Sequence, residues 1–203
     1  MKLTNLTVTE LLAAFRSSEP TPGGGSAAAL AGAVGASLLT MVAGLPKPAA
    51  ATDDDRRQLA EAGARCTELA IQLEQLIDDD SAAYDLVVGA FRLPKGTDEE
   101  KAARTSAIQR ALTAATETPL QVMRLCAKGL ETLHAVDRLG NPNASSDVQV
   151  AFSMLRAGLR GAHQNVEINL GSLKDEDYVA RVRVEAARLL SESGGTGAPS
   201  ESA

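Results

Sequence analysis

A run without any charged residue extends from Gly23 to Leu45 and constrains the fold more than any other feature of the chain. It begins with three consecutive glycines and continues mainly in Ala, Gly, Leu and Val. The run is long enough to cross a bilayer, but it is rich in Ala and Gly rather than Leu, and no second segment is comparably apolar. We therefore expect a helix from about Ser26 to Gly44 that is buried on all sides in a helical bundle.

The composition favours an all-α fold and narrows the classes of function. The 203 residues are 44% hydrophobic but only 2% aromatic, which favours helices packed through small side chains over a β-sandwich. A net charge of −6 argues against a general nucleic-acid surface. The separated cysteines, Cys66 and Cys126, are typical of core residues in a reducing compartment, so we expect a cytoplasmic protein. Two histidines without a Cys/His cluster argue against a metal site.

Start and stop signals divide the rest of the chain into further helices. Their predicted ranges are Thr7 or Thr9 to Ser18, Asp53 to Phe91, Thr97 to Thr118, Pro119 to Gly140, Asp147 to Leu170, and a cap at Ser172–Asp175 to Leu190. Pro119 either kinks one long helix or starts the next one. We expect a single domain over residues 1–190, an orthogonal or up-down bundle, followed by a disordered tail over residues 191–203.

Asp80 interrupts the apolar stripe of the predicted helix from Asp53 to Phe91. The apolar residues of this helix recur in alternating steps of three and four, as a face that packs on other helices requires. Position 80 falls on that stripe, and functional sites are where such local rules are broken. A buried carboxyl group has a raised pKa and can act as an acid near neutral pH. We expect the adjacent Asp79 to be solvated.

Two further features are either ligand sites or ordinary structure. The loop Gly23–Gly25 before a helix can present backbone N–H groups to an anion, or it can be a flexible connector. It matches neither a Walker loop nor a dinucleotide fingerprint. Asp147 and Asn165 are five turns apart on one helix face, with Asn169 one turn later. These three are either site residues or satisfied polar groups of the core, and Asp147 also suits the first turn of a helix.

Four stretches of the sequence together resemble the C-terminal family of the formiminotransferase-cyclodeaminases, in order from about Thr9 to Ala187. They are PTPGGGSAAALAGAVGASLLTMV, LPKGTDEEKAAR, GNPNASSDVQVA and NVEINLGSLKDEDYV. The resemblance implies an all-α helical dimer that acts on a one-carbon derivative of tetrahydrofolate without a further cofactor. It also implies that the glycine loop approaches the ligand, and that Asp78 and Asp80 match an Asp-x-Asp step of the family.

On this basis we assign roles as hypotheses. Asp147 or Asp80 is the catalytic acid/base, and Lys47 assists it. The candidate substrate-binding residues are Gly23, Gly24, Gly25, Ser26, Lys95, Arg104, Asn141, Asn143, Gln149 and Asn165. Among these, the three asparagines would read the hydrogen-bonding edge of the pterin, and Lys95 or Arg104 would meet the anionic glutamate tail. The alternative interpretation of each of these cations is an ordinary surface charge that does not contact a ligand.

The stretch after the uncharged run departs from the family pattern. Many members carry Asn-Leu-Thr, a glycine, consecutive basic residues and an aromatic residue there, whereas AGLPKPAAATDDDRR leaves Lys47 as the one cation before Arg56. This difference calls the usual cationic contact to the substrate into question.

The resemblance leaves three functions open. Gln149, two positions after Ser-Asp, is typical of cyclodeaminases, so our first hypothesis is ring closure of formiminotetrahydrofolate with release of ammonia. The length of the domain is typical of methenyltetrahydrofolate cyclohydrolase, which is the alternative. The third hypothesis is a non-catalytic folate-binding or scaffolding dimer beside a glutamate formiminotransferase, a protein that is also a predicted partner of the enzyme.

Overall fold

The computed structural model describes residues 2–46 and 51–195, which form a bundle of six α-helices with no β-strand in these ranges. The helices are α1 (Val8–Phe15), α2 (Gly24–Gly44), α3 (Asp53–Phe91), α4 (Asp98–Leu139), α5 (Ser145–Leu170) and α6 (Glu176–Gly195). Short 3₁₀ segments, Leu3–Asn5 and Pro142–Ala144, precede α1 and α5. The prediction of an all-α fold is confirmed.

Three of the helices begin with a capping box. In each, a threonine hydroxyl accepts a hydrogen bond from the backbone N–H three residues later, and the acid at that position bonds back to the threonine N–H. The pairs are Thr7 with Glu10, Thr52 with Asp55, and Thr97 with Glu100. The start of α6 differs from the prediction, because Asp175 itself caps the helix and accepts the N–H of Tyr178 at 2.9 Å.

Several helix boundaries in the structure differ from the predicted ones. The first helix ends at Phe15 rather than Ser18, and α5 begins two residues early, at Ser145. Pro119 neither ends nor starts a helix, because α4 continues through it from Asp98 to Leu139. The last helix runs to Gly195, so the first part of the predicted tail is helical. Residues 196–203, the rest of that tail, lie outside the described residues.

Glycine residues, which have no side chain, let α2, α4 and α5 pack closely at the centre of the bundle. A Cβ atom on Gly32 would lie 2.7 Å from the Sγ atom of Cys126, and one on Gly158 would lie 2.8 Å from the backbone oxygen of Ala28. Helices α2 and α5 run antiparallel, because Gly35 in the middle of α2 meets Ala151, whereas its first residue, Gly24, meets Asn165 further along α5. The small residues of the uncharged run therefore serve helix packing, as the sequence predicts.

The prediction that α2 is buried on all sides is wrong for one face. Val34 and Met41 are 38% and 40% exposed, because α3, α4 and α5 cover only the opposite side of the helix. By length and composition, α2 is the one helix in the described ranges that could cross a membrane. Half of its most apolar window is buried inside the bundle, as expected for the core helix of a globular domain.

Candidate functional site

The first turn of α2 binds the carboxylate of Asp80 in the middle of α3. The backbone N–H of Ser26 donates to Oδ2 of Asp80 at 2.8 Å, and the Ser26 hydroxyl donates to the same oxygen at 3.0 Å. The hydroxyl of Ser81 lies 3.3 Å from that of Ser26. Ser26 is fully buried and Asp80 is partly buried. The acid predicted from the interrupted stripe of α3 is therefore held by the N-terminus of the uncharged helix.

Gly25 is required by the position of this carboxylate. A Cβ atom at residue 25 would lie 2.0 Å from Oδ1 of Asp80 and 2.7 Å from Oδ2, well inside van der Waals contact. Any larger side chain would push the carboxylate or the turn away. Gly24 is less constrained, since its added Cβ would make an ordinary contact of 3.7 Å with Nδ2 of Asn165. The glycines of the loop are thus not equivalent.

Burial and hydrogen bonding act on Asp80 in opposite directions. Removal from water disfavours the charged carboxylate and raises its pKa above the ordinary value, and this is the larger influence. The two hydrogen bonds from Ser26 favour the charged form and lower the pKa. The net direction is upward, which moves Asp80 toward the range in which a carboxyl group exchanges protons in catalysis.

A cavity of about 270 Å³ opens beside Asp80, between the glycine loop and helices α3, α4 and α5. Its polar wall includes Gly24, Gly25, Asn165 and Asn169, and Tyr84 lies one turn after Asp80. Asp80 is the one carboxylate among the described lining residues, which include no Lys, Arg or His. The cavity therefore offers backbone, amide and carboxyl groups to a ligand but no cation of its own.

Asn169 has a structural partner that explains the proline inside α4. Pro119 lacks the N–H that would bond to the carbonyl of Ala115 four residues earlier. The side chain of Asn169 donates to that carbonyl oxygen at 2.9 Å, so the carbonyl keeps a partner. Asn165 is bonded within its own helix, where Nδ2 donates to the carbonyl of Gly161 at 2.9 Å. Both amides of the α5 face predicted from spacing therefore line the cavity while each donates to a backbone carbonyl, Asn165 within α5 and Asn169 across to α4.

The other predicted cluster lies at the far end of α2. The amide of Asn141 donates to the carbonyl of Pro46 at 3.1 Å, and its oxygen accepts the N–H of Asn143 at 3.0 Å. Asn143 is exposed, whereas Asp147 and Gln149 are partly buried in the first turns of α5. Asp147 is eighteen residues from Asn165, about 27 Å along the helix at the usual rise. One chain does not bring this cluster to the cavity beside Asp80.

The predicted cations lie away from the cavity or outside the described residues. Arg104 stacks on the ring of Phe91, 5.5 Å from its centroid, and donates to the Phe91 carbonyl at 2.9 Å. Lys95 is exposed in the loop between α3 and α4. Arg104 is therefore engaged in closing the end of α3, and Lys47 lies outside the described residues.

Asp78 differs from Asp80 in its contacts. Its carboxylate accepts hydrogen bonds from the backbone N–H of Leu3 and, at 2.7 Å, from the hydroxyl of Thr4. Asp78 thus fixes the N-terminal 3₁₀ segment against α3. Asp79 is exposed, as predicted.

Sequence reasoning missed three polar residues at the site. The hydroxyl of Ser81 lies within hydrogen-bond distance of the Ser26 hydroxyl, and Thr21 and Tyr84 line the cavity. Ser81 directly follows the predicted acid, Asp80, and this position could have indicated that it belongs to the site. Nothing in the spacing of Thr21 indicates a site residue.

Comparison with known proteins agrees with this architecture. Residues 7–188 match the family described as formiminotransferase-cyclodeaminase, and the chain belongs to that family. The methenyltetrahydrofolate cyclohydrolase of Methylorubrum extorquens is 42% identical over 94% of this chain and 91% of its own length. The formimidoyltransferase-cyclodeaminase of Rattus norvegicus is 34% identical over 85% of this chain, which corresponds to 32% of the rat protein.

A solved structure shares the fold. The formiminotetrahydrofolate cyclodeaminase of Thermotoga maritima superposes with a TM-score of 0.85 over 96% of this chain and 93% of its own. At a sequence identity of 24%, this similarity shows a shared fold only. The relatives thus include both of the activities that the sequence suggests.

Proposed function

We propose that the chain is an enzyme of folate one-carbon metabolism, with methenyltetrahydrofolate cyclohydrolase as the first candidate activity. The observation that supports this choice is the 42% identity to a cyclohydrolase along nearly the whole of both chains. The cavity beside Asp80 supports a reaction that needs proton transfer, because it combines a partly buried carboxyl group with amide and backbone donors.

In the proposed hydrolysis, Asp80 acts as the base and then the acid. Its carboxylate takes a proton from water as the water oxygen attacks the methenyl carbon, giving a tetrahedral carbon that bears two nitrogens. One C–N bond then breaks and the leaving nitrogen gains that proton from Asp80. The hydroxyl on the same carbon loses its own proton to solvent as its oxygen becomes the carbonyl of the formyl group, which stays on the other nitrogen. Such transfer contributes about a hundredfold or more to the rate, and orientation of the reactants contributes further.

Cyclodeaminase, the first hypothesis from the sequence, becomes the second candidate. It is supported by Gln149 and by the 34% identity to the rat formimidoyltransferase-cyclodeaminase. Here a folate nitrogen attacks the formimino carbon and passes its own proton to the former imino nitrogen, which becomes an amino group. Asp80 in its acid form gives that amino group a further proton, so that it leaves as ammonia. The same carboxyl group serves both reactions, because each passes through a tetrahedral carbon between nitrogens.

The proposal extends to the assembly. We expect the enzyme to be a homodimer that binds its folate, including polyglutamylated forms. A separate glutamate formiminotransferase remains a predicted partner, which co-purification with that protein would test.

The test supplies the purified protein with methenyltetrahydrofolate and formiminotetrahydrofolate in separate assays, and follows the methenyl absorbance band. Loss of the first substrate faster than in buffer supports the cyclohydrolase, and appearance of the band from the second supports the cyclodeaminase. Asp80→Asn serves as the matched inactive control. Background rates with both substrates would overturn the proposal and favour a non-catalytic folate-binding or scaffolding dimer.

A further inference from the structure

Tyr84 is the one aromatic residue among the described lining residues of the cavity beside Asp80. It lies one turn after Asp80 on α3, about 6 Å along the helix axis at the usual rise. Tyr84 is 41% exposed, whereas Asn165 and Asn169 on the α5 wall are partly buried. Tyr84 therefore stands at the mouth of the cavity, where a ligand passes from the interior to solvent.

The ring of Tyr84 differs from the other aromatic rings of the chain, which has three Phe, two Tyr and no Trp. Phe91, Phe152 and Tyr178 each have an arginine guanidinium 5.3–5.5 Å from the ring centroid, a cation–π contact that occupies one face. No described Lys or Arg lies over Tyr84 in this way. Its ring is thus available to a flat ligand, and aromatic rings pair favourably in offset stacks.

The size and charge of the cavity decide which part of a folate it can hold. Its volume of about 270 Å³ is below the range of about 300–1,000 Å³ for pockets that enclose a whole drug-sized ligand. A folate consists of a pterin, an aminobenzoyl ring and an anionic glutamate tail, so only part of it fits. The described wall has no cation, and burying an unpaired charge is costly, so the tail must lie outside.

The position of the one-carbon unit then fixes the order of the remaining parts. This unit joins the nitrogen of the pterin to the nitrogen that carries the aminobenzoyl ring, and it must lie beside Asp80 to react. With the tail outside, the pterin lies in the interior, and the aminobenzoyl ring, which is attached to the tail, lies at the mouth beside Tyr84.

We propose that Tyr84 stacks on the aminobenzoyl ring of the bound folate and so orients the substrate, with the pterin inward and the glutamate tail outward. The inference rests on the proposed function, because it takes a folate as the ligand. The contact requires the aromatic ring and not the phenol hydroxyl. Tyr84 is therefore a binding and positioning residue, and proton transfer stays with Asp80.

Binding of 5-formyltetrahydrofolate, a stable folate with its one-carbon unit on the pterin nitrogen, tests the stack without any turnover. In calorimetry, Tyr84→Leu should raise the Kd about two- to tenfold with unchanged helical circular dichroism, whereas Tyr84→Phe should keep the wild-type Kd. The control is Leu86→Ala, which trims an apolar side chain of α3 that is 62% exposed and outside the cavity wall, and should also keep it. A wild-type Kd in Tyr84→Leu, or equal losses in the Leu and Phe variants, would overturn the stack.

Nuclear magnetic resonance tests which rings meet. Protein labelled with carbon-13 tyrosine has two sets of ring signals, from Tyr84 and Tyr178, and Tyr84→Phe assigns them. Added 5-formyltetrahydrofolate should move the Tyr84 signals upfield by ring current and leave those of Tyr178 in place. Added 6-methyltetrahydropterin, which lacks the aminobenzoyl ring, should not move them upfield. An equal upfield shift with this pterin would overturn the proposed orientation.

Failure of this inference is distinguishable from failure of the proposed function. Background turnover of both one-carbon substrates by a protein that still binds 5-formyltetrahydrofolate would refute the proposed enzyme and leave the stack to be decided by the variants. A turning-over enzyme whose Tyr84 signals do not respond to the bound folate would refute the stack alone. A wild-type chain that binds no folate would refute both.

Discussion

Ser26 donates two hydrogen bonds to a single oxygen of Asp80, its backbone N–H at 2.8 Å and its hydroxyl at 3.0 Å from Oδ2. The other oxygen, Oδ1, lies over Gly25, where a Cβ atom would be 2.0 Å away. The two oxygens therefore have different tasks. Oδ2 fixes the carboxylate in place, and Oδ1 is the oxygen available for proton transfer in the proposed mechanism.

Replacing Ser26 by alanine should move the acidic limb of the pH profile. The Ser26 hydroxyl favours the charged carboxylate, so its loss raises the pKa of Asp80 further. A base works only when deprotonated, so kcat/KM falls as pH drops through that pKa, and the fall should begin at a higher pH in Ser26→Ala. The loss of one hydrogen bond should also slow the reaction at neutral pH by about tenfold.

The pH profile of cyclohydrolase activity measures this shift. Ser191→Ala is the control, because the Ser191 hydroxyl bonds only to a carbonyl of its own helix, on the exposed side of α6. An unmoved acidic limb in Ser26→Ala would argue that Asp80 is not the titrating base.

Alanine at position 25 should lower kcat/KM by about a hundredfold. The added methyl group collides with the carboxylate of Asp80, so either the turn or the acid must move, and misplacement of a catalytic group by about 1 Å costs on the order of a hundredfold in rate. Gly89→Ala is the control, since nothing lies within 4 Å of its added Cβ atom and alanine suits a helix interior better. Wild-type kcat/KM in Gly25→Ala would refute the packing argument.

The sequence was most informative about helices whose ends carry local signals. Capping boxes at Thr7, Thr52 and Thr97 place three starts within a residue or two, because the interaction spans only four residues. The role of Pro119 was ambiguous because the local sequence around it does not show whether a helix can continue through it. Its tolerance inside α4 depends on Asn169, fifty residues away, and no local pattern reveals that partner.

The site was predictable only in part. The break in the apolar stripe identifies Asp80, and the glycine loop identifies its neighbours, because each violates a local rule. Spacing correctly puts Asp147 and Asn165 on one helix. It does not show that the far end of that helix is distant from the cavity, since this depends on the direction in which α5 packs against α2.

Neither cysteine should react in the folded protein. Burial raises the pKa of Cys66 to about 11 and that of Cys126 to about 12, so the reactive thiolate is scarce at neutral pH. A thiol reagent such as DTNB should therefore label neither in buffer and both in denaturant. Rapid labelling of one thiol per native chain would show that the packing around α2 and α4 opens readily.

Removing the amide of Asn169 should destabilise the fold through the proline in α4. In Asn169→Ala, the carbonyl of Ala115 loses its donor, since Pro119 cannot supply one. A buried carbonyl without a partner costs about 1–3 kcal/mol, so the urea midpoint should fall by a corresponding amount.

Replacing Pro119 by alanine should suppress most of that loss. The Pro119→Ala substitution restores an N–H four residues after Ala115, so the carbonyl regains its helical partner whether or not Asn169 is present. In a double-mutant cycle, Asn169→Ala should therefore cost at least about 1 kcal/mol less in the Pro119→Ala background than in the wild type. Equal costs in the two backgrounds would mean that Asn169 stabilises the protein by other contacts, and that the carbonyl freed by the proline is satisfied elsewhere.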